Sequence, residues 1–151
     1  MKTDKLMLGD WVGYIGAYED DSGEIVEMWE RPIPIKITFI TPDAVQYEDE
    51  DGCYECMDYE LHPIPLTAEI LEKNGFIKVR DFLWEIRTQD TCIKYEWHGK
   101  IMLEITKKLT RKDKYGRCNI AAFTVGWMDD MFVHELQHAL RLCGIEKEIE
   151  L

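Results

Sequence analysis

The sequence predicts an α+β protein, a β-rich N-terminal part followed by a helix–meander–helix part. Short runs of alternating apolar residues recur along most of the 151 residues, which is the period of half-buried strands. Turn-forming clusters such as "EDDSGE" and "DEDG" separate those runs. Helical signals are confined to two stretches, "TAEILEKNG" and "DDMFVHELQHALRLCG".

The elements follow in order. "LMLGDWVGYIGAY" is aromatic and punctuated by Gly9, Gly13 and Gly16, as expected of a bent strand. "EDDSGE" turns the chain. In "IPIKITFI", Ile33, Ile35, Ile37 and Phe39 are expected on one face, with Lys36 and Thr38 on the other. "TPDA" leads into "VQYE", and "DEDG" makes a hairpin into "CYECMDYEL". Short antiparallel strands with tight turns suggest an SH3-like small β-barrel, or a curled antiparallel sheet, over residues 1–62.

"HPIPLT" marks the boundary, with Pro63 and Pro65 holding the chain extended. In residues 63–151, Thr67 caps the short helix "AEILEKN" and Gly75 stops it. Phe82, Trp84 and Ile86 alternate, as do Ile93, Tyr95 and Trp97, and His98-Gly99 turns into "KIMLEIT". "LTRKDKYGR" reads as a basic loop before the strand "CNIAAFTV". Asp129 or Asp130 is expected to cap a last helix over about residues 131–142, closed by Gly144. Two units of this size would each have a small core, so one shared core is expected.

The composition is 46% hydrophobic and 11% aromatic, that of a folded chain, with 30 acidic residues against 18 basic ones and a net charge of −12. Such a balance argues against direct nucleic-acid binding, which needs a basic face. It suits solubility, or docking on a basic protein surface, including one that otherwise holds nucleic acid. With no signal-like N-terminus, no long apolar run and 5 scattered cysteines, the expectation is a cytoplasmic protein with reduced thiols and no membrane segment.

The sharpest motif is His134-Glu135-Leu136-Gln137-His138, the H-E-x-x-H spacing of zinc peptidases. On a helix its histidines share a face and the glutamate lies beside them as general base on a metal-bound water. Three features weigh against zinc. Phe132, Val133, Leu136, Ala139, Leu140 and Cys143 form the core stripe, which leaves His134, Gln137, His138 and Arg141 on the polar side, solvated or lining a groove. The pattern that adds a third histidine finds Gly144 there. A third ligand must then come from the tail (Glu146, Glu148 or Glu150) or from His62 or His98 at long range.

The third feature is a resemblance. "LMLGDWV", "PIPLTAEILEKNGF" and "FVHELQHAL…GIEKEIEL" resemble a family of small proteins of Bacteroides and its phages and prophages, matching at both ends and in the middle. That family's pattern has Asn at the positions of Asp10 and His138. A helix that serves the family without the second histidine implies no zinc, and the resemblance carries no activity with it. It implies a phage- or prophage-type accessory protein.

Cys53 and Cys56 form a lone C-x-x-C whose members fall on opposite faces of a strand, so shared metal binding is not expected, although a knuckle with His62 is the alternative. Trp11, Trp29, Trp84, Trp97 and Trp127 are expected mainly in the sheets, and "KKLTRKDKYGR" as a solvated loop. The resulting expectation is a non-enzymatic protein that works by protein–protein contact, with no cofactor. The first alternative is a minimal zinc hydrolase with His134, His138 and Glu146 as ligands and Glu135 as base. The second is an acidic mimic that inhibits a nucleic-acid-binding host protein.

Overall fold

A carboxylate shapes the first turn of the chain after its first strand: Asp20 Oδ1 accepts from Ser22 N–H, Ser22 Oγ and Glu24 N–H at 2.6–3.0 Å. Those bonds hold the Asp20 carboxyl below its ordinary value. The computed structural model describes residues 1–28, 31–112 and 118–151. The chain is α+β, with mostly antiparallel sheets and a C-terminal helix. It divides into two units, Met1–Pro65 with Phe132–His138, and Leu66–Met131 with Ala139–Leu151. Among the described residues no helix is long and apolar enough to cross a membrane.

In the first unit, β1 (Trp11–Tyr14) is followed by the side hairpin β2 (Ala17–Glu19) and β3 (Ile25–Glu27). Then come β4 (Ile33–Ile40), β5 (Ala44–Asp49), β6 (Gly52–Met57) and, after a 3₁₀ turn at Asp58–Glu60, β7 (Leu61–His62). The five-stranded sheet has the order β6-β5-β4-β1-β7 and is antiparallel at every pairing. β6 and β7 are its two edges, and no ladder among the described residues closes one onto the other. Leu6, Val12, Ile35, Ile37, Val45, Tyr47, Cys56 and Leu61 form its core. Gly13 is required where it stands: a Cβ there would lie 2.7 Å from Pro32 Cβ and 3.3 Å from the carbonyl of His62.

β4 departs from simple alternation. Ile35 and Ile37 are buried, but Phe39 is 53% exposed. The register with β5 shifts between Ile37 and Phe39, so the face reverses and Ile40 packs on the core in its place. Ile33, at the strand's start, is exposed as well.

In the second unit, Thr67 Oγ1 accepts from Ile70 N–H at 3.3 Å and opens α1 (Ala68–Lys73), and Gly75, at φ 77°, lets the chain leave it. β8 (Ile77–Arg80), β9 (Leu83–Arg87), β10 (Thr91–Trp97), β11 (Ile101–Lys112) and β12 (Cys118–Met128) then form a meander in the order β12-β11-β10-β9-β8. β11 corrects the expected loop: its ladder with β12 runs to Lys112, paired with Cys118, so the strand outlasts the apolar alternation that signalled it. The rest of that stretch, 113–117, and Trp29 lie outside the described residues. One face of the sheet buries Trp84, Ile93, Tyr95, Leu103 and Ile105. The other carries the ion pairs Arg80–Glu96, Arg87–Glu85 and Lys94–Glu104.

α2 (Val133–Leu142) starts later than expected and is capped differently. Glu135 Oε2 accepts from Phe132 N–H at 3.0 Å, one half of a capping box, whereas Asp129 and Asp130 are exposed. After Gly144 the tail packs within the second unit: Ile149 is buried, and Asn74 donates to Glu150 O and accepts from Glu150 N–H.

Candidate functional site

The polar side of the H-E-x-x-H segment was expected to be solvated or to line a groove; it is largely buried, and His134 lines a cavity. His134 is 5% exposed and Gln137 4%, while Arg141 alone of that set is exposed. Gln137 and His138 bond groups of the first unit. Gln137 Oε1 accepts from Trp11 N–H and its Nε2 donates to Gly9 O, both at 2.9 Å. His138 Nε2 lies 2.6 Å from Asp10 Oδ2, an oxygen that also accepts from Met7 N–H at 2.8 Å. A carboxylate can only accept, so His138 donates through Nε2. Asp10 is wholly buried. These bonds satisfy the backbone at the entry to β1.

The residues proposed for zinc are therefore held in other ways. His138 offers Nε2 to Asp10, and Glu135 offers Oε2 to the helix cap. Glu146 is exposed in the tail and belongs to the second unit. Among the described residues, no three of His, Cys, Asp and Glu are grouped as a metal would need. His98 bonds Glu96 at 2.8 Å in the second unit. Cys53 is exposed and Cys56 buried on β6, the opposite faces that the strand pattern implies, and burial pushes the Cys56 thiol up to about 12.

His134 stands apart from its neighbours in the motif. Its ring stacks on Phe132 with centroids 6.0 Å apart and planes 4° from parallel, and it meets His138 edge-on at 5.9 Å. Burial, opposed by the charges of Glu135 and Asp10, holds its imidazole below the ordinary value. Its Nδ1 is buried without a hydrogen-bond partner, and so is Nε2 of His62. Both residues line one cavity of about 570 Å3 in the first unit, together with Lys2, Lys5, Tyr59, Leu61, Pro63, Phe132 and Glu135.

The second unit has a cavity of another kind, about 290 Å3, walled by Phe82, Trp84, Tyr95 and Trp97 with Asp129 and Asp130 at its edge. Phe82 and Trp97 pack with centroids 5.2 Å apart and are 48% and 42% exposed, whereas Trp84 and Tyr95, edge-on at 6.0 Å, are buried. Burial raises the Tyr95 hydroxyl above its ordinary value, and the Asp130 charge adds to the rise. Asp129 pairs with Lys100 at 3.2 Å. Phe82 stands at φ 63°, a backbone that non-glycine residues rarely adopt. Trp84 already has one cation near it, Lys78 Nζ at 5.8 Å from the ring centroid.

The sequence offered His62 as a remote zinc ligand or as a knuckle ligand beside Cys53 and Cys56, Asp130 as a helix cap and Phe82 as a strand residue, and it did not single out Lys2 or Lys5. The aromatic alternation in β9 and β10 was its one signal for the second cavity. No family model matches the chain, and no curated protein and no solved structure matches it.

Proposed function

We propose that this chain is a non-enzymatic accessory protein that binds a basic protein partner, taking a lysine or arginine side chain into the aromatic cavity of the second unit. The observation that carries this reading is the cavity wall: four aromatic rings beside Asp129 and Asp130. An ammonium or guanidinium over an aromatic face gains about 0.5–2 kcal/mol, more as it is desolvated. The net charge of −12 steers a cationic partner toward the surface. Non-enzymatic action is supported by the tasks of the H-E-x-x-H residues, which cap a helix and hold backbone.

The phage- or prophage-type role extends the resemblance to the Bacteroides family. The departures from its pattern support that kinship, because Asp10 and His138 bond each other at 2.6 Å. Two Asn positions exchanged together for an acid and a base keep a polar pair between the same places. We also read the first unit as SH3-like. Support comes from a bulged antiparallel run β1-β4-β5-β6, a hairpin excursion between β1 and β4, and a 3₁₀ turn before a fifth strand that returns to β1. A cytoplasmic setting with reduced thiols fits the scattered cysteines.

The test is titration of the full chain with a lysine-rich peptide and with its glutamate-substituted counterpart, followed by tryptophan fluorescence. Saturable binding of the first alone, weakened by Trp97→Ala and by Asp130→Asn, is the expected result. No binding of the basic peptide overturns the reading. Zinc at one ion per chain together with peptide hydrolysis, abolished by Glu135→Gln, favours the zinc hydrolase. Displacement of nucleic acid from a host protein without use of the cavity favours the acidic mimic.

A further inference from the structure

The geometry points to the cavity of the first unit as a binding site for a small organic monocarboxylate, held by His62, His134, Lys2 and Lys5 and independent of any basic partner. His62 Nε2 and His134 Nδ1 are, among the described residues, the buried side-chain nitrogens or oxygens that lack a hydrogen-bond partner. The two residues that carry them, His62 and His134, line the same cavity. A buried polar atom without a partner is costly, so native proteins leave few of them, and such atoms beside a void mark a place where something binds. His134 is not a free-swinging group either, because its ring is stacked on Phe132.

The chemistry of the wall selects the occupant. Lys2 and Lys5 are exposed and carry no ion pair among the described residues, although acids outnumber bases 30 to 18 in the chain. Phe132, His134 and Glu135 bring the first turn of α2 to the same wall, where the helix dipole favours negative charge. Two ammoniums, a helix start and two imidazole edges suit an anion and disfavour a divalent cation. Glu135 also lines the wall, and Glu27 lies 3.7 Å from His62 Nε2, so a dianion such as phosphate meets repulsion that a single carboxylate largely avoids. Tyr59, Leu61, Pro63 and Phe132 supply an apolar lining for the body of the ligand. The volume of about 570 Å3 falls in the range of small-molecule sites.

Benzoate is the probe, added to the full-length protein labelled with 15N, with inorganic phosphate and zinc chloride as counter-probes. The expected result is saturable binding in which benzoate shifts the imidazole nitrogens of His62 and His134 but not those of His98. The double variant Lys2→Ala/Lys5→Ala changes two exposed side chains and leaves the fold intact. It is expected to weaken benzoate by about tenfold, the effect of losing one good charged contact. His134→Phe should abolish the response. If that variant does not fold, His62→Gln with the lysine pair carries the test. The proposal is overturned if benzoate leaves both imidazoles unmoved, or if it binds equally well without the lysines. It is overturned too if phosphate binds more tightly than benzoate, or if zinc binds at one ion per chain and shifts both histidines.

Discussion

The cavity of the first unit is lined by two histidines and two lysines, whereas that of the second is lined by four aromatic residues and two aspartates. The same acidic chain therefore makes two local environments of opposite sign. A net charge of −12 describes long-range steering. Affinity at each cavity depends instead on a few groups within hydrogen-bonding or cation–π reach. The walls also differ in how they are held. Around the first, buried polar bonds fix the helix segment, with Asp10, Gln137 and His138 in one network. The second rests on packed rings and on one strained turn residue, Phe82.

The largest effect should come from breaking the polar network. Asp10→Ala removes a wholly buried acceptor from the partly buried His138 and from Met7 N–H and should cost about 3 kcal/mol in urea unfolding. A loss well below about 1 kcal/mol would mean that the network does not hold the segment. Trp97→Ala should come next, weakening a lysine-rich peptide by about 5- to 30-fold while leaving benzoate binding untouched. An equal loss for both ligands would contradict the separation of the sites.

A smaller effect is expected from pH. The folded chain holds His134 below its ordinary value of 6.5, so the unfolded chain takes up that proton first as pH falls. Stability from this group is thus present above about pH 6.5 and lost as pH falls toward the folded value. The melting temperature of the native chain should decline more steeply from about pH 7 to about pH 5 than that of His134→Phe. Parallel profiles would place the titration elsewhere. Smallest of all should be Phe82→Gly. It relieves a positive φ, worth about 1 kcal/mol, and removes a ring contact of about the same size, so stability should change little. A loss above about 2 kcal/mol would show the ring to be part of the core.

Local signals in the sequence were read well where local bonds decide the outcome. Thr67 caps α1, Gly75 and Gly144 end helices at positive φ, and Cys53 and Cys56 fall on opposite faces. The fold class was legible for the same reason. Helical periodicity could not decide whether His134 and Gln137 are solvated or line a groove, because what buries Gln137 comes from residues remote in sequence: it bonds Trp11 at a separation of 126 residues. The bulge in β4 was equally hidden, since the alternation of Ile33, Ile35, Ile37 and Phe39 is unbroken in sequence while its pairing with β5 slips. Of the first cavity, the sequence offered His62 only as one of several long-range partners for His134 and could not say that the two line one wall.

The most direct test of the contrast between the cavities is a crossed titration of the full chain. Benzoate and a lysine-rich peptide are each measured by calorimetry against the native protein, Lys2→Ala/Lys5→Ala and Asp130→Asn. The result expected is that the lysine pair weakens benzoate alone and Asp130→Asn weakens the peptide alone, each by several-fold. If both substitutions weaken both ligands alike, or neither weakens either, the two cavities are not the opposed binding sites described.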